Sequence, residues 1–202
     1  MSHPSNQQNR FRYLLFYKPY GVLSQFTAIP GHHSLKEFGP FPPAVYPVGR
    51  LDEDSEGLLL LTDDPKTNHR LTDPTFGHPK TYCVQVENIP DEEDLEKLRE
   101  GVVLSGKRTL PSEVSIILDE PNFPARAIPI RYRKNIPTTW LQLILHEGKN
   151  RQVRRMTAAV GHPTLRLIRT RLMFLDLNGL TPGTKRELTP DEILQLRDLL
   201  RI

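Results

Sequence analysis

The densest concentration of chemistry-bearing residues is Gly49-Arg50-Leu51-Asp52-Glu53-Asp54-Ser55-Glu56-Gly57, an acidic loop bounded by glycines. Three chemistries fit its residue types. Asp52, Asp54 and Glu56 with Gly57 and Asp63 imitate an EF-hand calcium loop. That motif needs a helix on each side, whereas Pro47 precedes the loop and the strand-like Leu58-Leu59-Leu60-Leu61 follows it. The acids could instead solvate a surface turn. The third possibility is a catalytic carboxylate beside a cation, with Arg50 next to Asp52. A carboxylate of this kind can act at an anomeric carbon. Hydrolysis needs a second carboxyl to handle water and the leaving group, but an isomerisation that returns the same base does not.

The cations are concentrated elsewhere. Between Arg126 and Arg171 there are eleven Lys or Arg and one acid, Glu147, although the whole chain carries only +3. This polarity suits a polyanion such as nucleic acid, or else a solvated charged face. The single cysteine, Cys83, excludes an intramolecular disulfide and a cysteine-based zinc site. The seven histidines show no ligand spacing, so no metal site is expected. Residues 1–8 lack the apolar core of a signal peptide, and Leu58–Leu61 is too short to cross a bilayer. No membrane partner is expected, and the reducing cytoplasm fits the cysteine usage.

These residues must be positioned by strands and helices together. Phe11 to Tyr17, Leu58 to Leu61, Tyr82 to Val86, Val114 to Leu118 and Thr139 to His146 read as strands by composition and alternation. Pro65 to Leu71 reads as a short helix. Asp91 caps a helix over 91–100 whose first turn is acidic. Thr189-Pro190-Asp191-Glu192 opens a last helix with a capping box. Asn150 to Val160 reads as a helix with Val153, Met156, Thr157 and Val160 on its buried stripe and Arg151, Arg154 and Arg155 opposite. Trp140 and Phe174 read as core residues. With no strict βαβ rhythm, the class is α+β. The expected layout is a flexible tail over 1–10 and one domain over 11–202, built from halves of about 11–75 and 76–202.

Four ordered motifs resemble the RsuA/RluB/RluE/RluF family of bacterial rRNA pseudouridine synthases. The loop Gly49-Arg50-Leu51-Asp52-x-Asp54-Ser55-x-Gly57-Leu58-Leu59 looks like its catalytic motif, and Lys18-Pro19-x-Gly21-Val22 looks like its first. Lys80-Thr81-Tyr82-x-Val84 is similar to its tyrosine motif, and Glu147 to Met156 to its basic-helix motif, followed by Leu165-Arg166-Leu167-Ile168-Arg169. The stretches Gln25-Phe26-Thr27, Pro129-Ile130-Arg131, Ile136-Pro137-Thr138 and Pro163 to Arg169 look like the RluE type, which modifies 23S rRNA. One departure is Leu172-Met173, where the family pattern has Ile or Met and then Gly.

The resemblance implies a mixed, largely antiparallel sheet with a central active-site cleft, and no S4 domain ahead of a first motif that starts by Phe11. It implies conversion of one uridine of large-subunit rRNA to pseudouridine by base flipping, without cofactor, by a monomer. Asp52 would attack C1′ or take the 2′ proton. Tyr82 would stack on the base or help move the C5 proton. Arg154, or its neighbour Arg155, would pair with Asp52. Arg50 would fill the space vacated by the base or hold a phosphate, if it is not paired with Asp54. Lys18, Lys80, Lys149, Arg151, Arg155, Arg166, Arg169 and Arg171 are the expected RNA-contacting cations. Two rival readings remain: an assembly factor that binds rRNA without catalysis, and a metal-dependent nuclease on Asp52, Asp54, Asp63 and Asp64.

Overall fold

The computed structural model describes residues 11–130 and 135–202. The expected tail and Arg131 lie outside them. Thirteen strands and four α-helices follow in chain order: β1 Tyr13–Lys18, β2 Val22–Leu23, β3 His33–Ser34, β4 Tyr46–Pro47, β5 Glu56–Thr62, α1 Pro65–Thr72, β6 Lys80–Glu87, α2 Glu92–Glu100, β7 Val103–Leu104, β8 Lys107–Arg108, β9 Glu113–Ile117, β10 Thr138–Leu145, α3 Gln152–Ala159, β11 Thr164–Leu172, β12 Leu175–Asp176, β13 Lys185–Glu187 and α4 Pro190–Leu200.

Nine strands form one sheet in the order β13-β1-β5-β11-β6-β10-β9, with β4 added to β5 and β12 to β11. Its pairings are antiparallel except the junction of β5 with β11, which is parallel through Ile168 opposite Glu56 and Arg169 opposite Gly57. β5 is buried along its whole length, and a strand covered on both faces reads as an unbroken apolar run. β6 alternates, burying Tyr82, Val84 and Val86 in the larger core cluster, while Cys83 on its other face is only partly covered by the cluster of Tyr17, Trp140 and Ile168.

Two large core clusters flank the junction, and a smaller one of Tyr17, Trp140 and Ile168 bridges it. Val84, Leu98, Leu141, Leu143, Val153 and Met156 pack on one side. Leu15, Leu58, Leu60, Leu71, Leu196 and Leu200 pack on the other. β13 and α4 complete the side that holds β1: β13 pairs with β1, and Leu196 and Leu200 of α4 share a cluster with Leu71 of α1. The expected division into 11–75 and 76–202 therefore misplaces the C-terminal segment, because strand pairing over long sequence separations leaves no local signature.

The expected caps form. Asp91 accepts from the Asp94 amide, and Thr189 and Glu192 make the reciprocal capping box. Met173, where the family pattern has glycine, adopts φ +55°, a left-handed conformation that crowds its Cβ. The turn between β11 and β12 keeps the backbone that the glycine would give.

Candidate active site

The loop that carries Asp52 is held by backbone and side-chain contacts. The Ser24 hydroxyl accepts from the Leu51 amide at 3.0 Å and donates to the Leu51 carbonyl at 2.8 Å, which fixes the residue before Asp52. The Asp52 carbonyl accepts from the Ser55 amide at 3.0 Å, and the Glu53 carbonyl accepts from the Gly21 amide at 2.8 Å. Gly57 closes the loop against β11. A Cβ there would lie 2.3 Å from the Arg169 carbonyl oxygen, and the residue's φ is +107°. Only glycine lets the two strands approach this closely.

Lys18 is fully buried beneath this loop. Its ammonium donates to the carbonyls of Pro19 at 2.9 Å, Val22 at 2.6 Å and Glu53 at 3.2 Å. Desolvation drives its pKa down to about 7, against the pull of Glu56 and Asp54. The expectation that Lys18 touches RNA fails because its charge is turned inward and occupied by three carbonyls.

Asp52 and Asp54 project from the loop, each with about a third of its side chain exposed (32%). The guanidinium 3.7 Å from the Asp52 carboxylate belongs to Arg151. Arg151 also grips Asp54 bidentately at 2.9 and 2.8 Å. Arg154 lies against Asp54 instead, donating to its carbonyl oxygen at 2.6 Å with Nε 3.3 Å from its carboxylate. Arg155 donates to the Ser105 hydroxyl at 2.6 Å. Of the expected pair, Arg154 also feels the Asp52 charge while it sits against Asp54, and Arg151 is the cation that approaches the Asp52 carboxylate within 4 Å. The cause is local. α3 starts at Gln152, and Arg151 is its N-cap with φ +47°, so its side chain leaves the helix end towards the loop rather than following the helical phase. Burial would raise the Asp54 pKa, but the Arg151 hydrogen bond and the Arg154 charge outweigh it and hold the carboxyl below its ordinary value.

A cleft of 690 Å³ opens beside Asp52, bordered by Arg50, Leu51, Lys80, Tyr82, Arg151 and Arg169 among others. Arg50 is exposed at its edge. Tyr82 is buried on β6, where the register sets it between Leu143 of β10 and Arg169 of β11. Arg169 is 4% exposed and donates through Nε to the Leu58 carbonyl at 2.8 Å. Its Nη2 is buried without a hydrogen-bond partner, and the residue lines the cleft. Lys80 lies nearby, donating to the His78 carbonyl at 3.1 Å. Burial and then the Arg169 charge push its pKa down.

The other expected cations separate by burial. Arg166 is 6% exposed and forms a bidentate pair with Glu56 at 2.8 and 2.7 Å while donating to the Pro124 carbonyl. It has no free face for a phosphate, so its assignment to RNA contact is corrected to an internal ion pair. Lys149 and Arg171 are exposed, with acids at 2.8 Å (Glu147) and 4.0 Å (Asp176) respectively. Among the described residues no group of three or more His, Cys, Asp or Glu side chains could hold a metal ion, and no helix is long and apolar enough to cross a membrane. Ser24 escaped the sequence reading because a lone serine has no spacing signal.

Residues 12–159 match the model of the RNA pseudouridylate synthase family. A ribosomal large subunit pseudouridine synthase E of Xanthomonas axonopodis pv. citri is 53% identical over 171 residues, covering 84% of this chain and 90% of the relative. The protein of the same description from Vibrio parahaemolyticus is 50% identical, covering 90% and 75%. The ribosomal small subunit pseudouridine synthase A of Escherichia coli K12 is 33% identical, covering 95% and 76%. A crystal structure of a pseudouridylate synthase superposes with a TM-score of 0.77 at 29% identity, covering 94% of this chain and 75% of that one. The fold, the motifs and these relatives agree: the chain belongs to the RNA pseudouridylate synthase family.

Proposed function

We propose that this protein converts one uridine of 23S rRNA to pseudouridine, with Asp52 as the catalytic carboxylate. The observation that carries the reading is the pinned loop, which holds Asp52 at the edge of a cleft with Tyr82, the buried Arg169 and the half-buried Lys80 beside it. Relatives at 50% identity and above that are described as acting on the large ribosomal subunit support the choice of RNA.

A uridine within stacked RNA must leave its stack to reach Asp52. The cleft falls within the range of roughly 300–1,000 Å³ typical of ligand sites and admits a nucleotide. Arg50 at its edge can take the space left in the helix or hold a phosphate. Asp52 then either attacks C1′ or removes the 2′ proton, and in both routes the bond from N1 to C1′ breaks. The detached base carries the electron pair. The Arg169 guanidinium and the Lys80 ammonium supply positive charge where that anion turns, and Tyr82 offers a stacking face. C5 bonds to C1′ as the Asp52–C1′ bond breaks on the first route, or as the proton returns to C2′ on the second; the C5 proton leaves, and N1 regains a proton. No water is consumed. Work as a cytoplasmic monomer without cofactor belongs to the same reading.

Asp52→Asn keeps the side-chain shape and removes the charge. Tritium release from a 23S rRNA stem-loop carrying 5-tritiated uridine is expected to fall roughly 10³-fold or more, while RNA binding survives. Near-normal turnover by this variant would refute the assignment.

A further inference from the structure

The two-stranded hairpin of β7 and β8 lies outside the motifs and outside the basic segment of the sequence. Its turn residues Ser105 and Gly106 have φ of +50° and +77°, the signature of a tight two-residue hairpin whose twist matches its strands. Its base is anchored. The Thr109 hydroxyl accepts from the Val102 amide at 3.0 Å, Arg108 donates to the Gly101 carbonyl at 2.8 Å, and Val102 and Leu104 pack on the core. The outward face is open: Val103, Ser105, Gly106, Lys107 and Arg108 are all exposed.

Two contacts join this hairpin to the active site. Arg155 of α3 bonds Ser105 at the hairpin turn, while Arg151 at the start of the same helix reaches Asp52 and Asp54. Glu147, which lines the cleft, accepts from the Leu110 amide just beyond β8 at 3.0 Å. It also holds Gln152 Nε2 and is paired with Lys149. Lys107, Arg108, Arg155, Lys149 and Arg151 therefore run from the hairpin tip to the edge of the cleft. The acids along this path, Glu147, Asp52 and Asp54, already face cations of the helix and its approach, whereas the hairpin tip adds charge beyond them.

We propose that the β7–β8 hairpin is an RNA-contacting arm, in which Lys107 and Arg108 grip the phosphate backbone flanking the target uridine. The inference rests on the rRNA reading above. A short, anchored hairpin suits this task because a phosphate contact sets register without reading sequence, and a rigid mount limits the entropy lost on binding.

The test compares Lys107→Glu with Lys36→Glu, an equal charge change on an exposed lysine of the 3-10 helix Leu35–Phe38. Binding of the full chain to a 23S rRNA stem-loop is measured across salt concentrations. Lys107→Glu is expected to raise Kd roughly 5–10-fold near 0.1 M salt and to make the plot of log Kd against log salt shallower by about one or more. The RNA KM should rise with Kd, Lys107→Arg should restore both, and the melting temperature should hold. Equal Kd values for Lys107→Glu and Lys36→Glu would overturn the inference. Wild-type pseudouridine formation is scored on the same RNA. If wild type forms none, the substrate reading falls while the hairpin is still judged by the Kd comparison.

Discussion

Arg166 and Arg169 of β11 and Arg151 and Arg155 at α3 read alike in the sequence, as one basic stretch, yet the fold gives the two pairs opposite tasks. On β11, Arg166 and Arg169 are 6% and 4% exposed. Arg166 is committed to Glu56 across the parallel junction, and Arg169 faces the cleft from within. At α3, Arg151 keeps 43% of its side chain exposed, and Arg155 reaches sideways to the hairpin. An arginine buried on a central strand, such as Arg166, is held by partners inside the protein, because an unpaired buried charge is heavily penalised. One at a helix end can serve solvent, a loop and a polyanion. Cationic residues in a sequence therefore mark an RNA face only after their burial is known.

The largest effect separating the two classes is expected at Arg166. Arg166→Ala strands the Glu56 carboxylate, which is 2% exposed, and should lower unfolding free energy by about 3–5 kcal/mol in urea titrations. Replacing both partners by apolar residues, Glu56→Leu with Arg166→Met, should recover most of that loss. In folded protein the salt dependence of RNA binding should be unchanged by either variant. A shallower salt slope would return Arg166 to the RNA-contacting class.

Lys18 sharpens the contrast through pH. Its ordinary pKa is 10.5 and its folded value about 7. Between these values the unfolded chain binds the extra proton, so this group makes stability rise with pH from about 7 to about 10.5. Lys18→Met removes that dependence. The wild-type unfolding free energy minus that of the variant should climb by up to roughly 1.4 kcal/mol per pH unit in this window. A flat difference would mean that the ammonium is not destabilised by its burial.

The smallest change in stability is expected at the exposed end of the comparison. Arg151→Ala should cost less than about 1 kcal/mol in folding, as exposed ion pairs do. It should nonetheless depress turnover, since Arg151 is the cation beside Asp52, and flatten the salt slope by about one if it also meets a phosphate. A stability loss as large as that of Arg166→Ala would erase the distinction.

Much of the molecule was legible before any coordinates. The apolar run at Leu58–Leu61, the alternation from Thr139 and the caps at Asp91 and Thr189 each became the expected element, because strand burial and helix capping are set by residues within a few positions of one another. The acidic loop and its glycines were visible for the same reason, and four ordered motifs were enough to suggest the family. The strand order was not visible. Neither was the return of β13 and α4 to the side of the sheet that holds β1, since each depends on partners more than a hundred residues away.

The sequence by itself determined which residue types meet at the site: one loop of acids, one tyrosine strand and one basic helix. Only the tertiary structure decided which cation serves which acid. Arg151 reaches Asp52 because the chain adopts a left-handed cap one residue before α3, a choice made by the docking of helix against loop. Arg166 turns inward because β11 runs beside β5 and brings Glu56 within 2.7 Å. The same assembly ties the β7–β8 hairpin, which carries Lys107 and Arg108 outside the basic segment of the sequence, to α3 through Ser105 and Arg155. Charge acts through distance and burial, and both are properties of the packed sheet rather than of the order of residues.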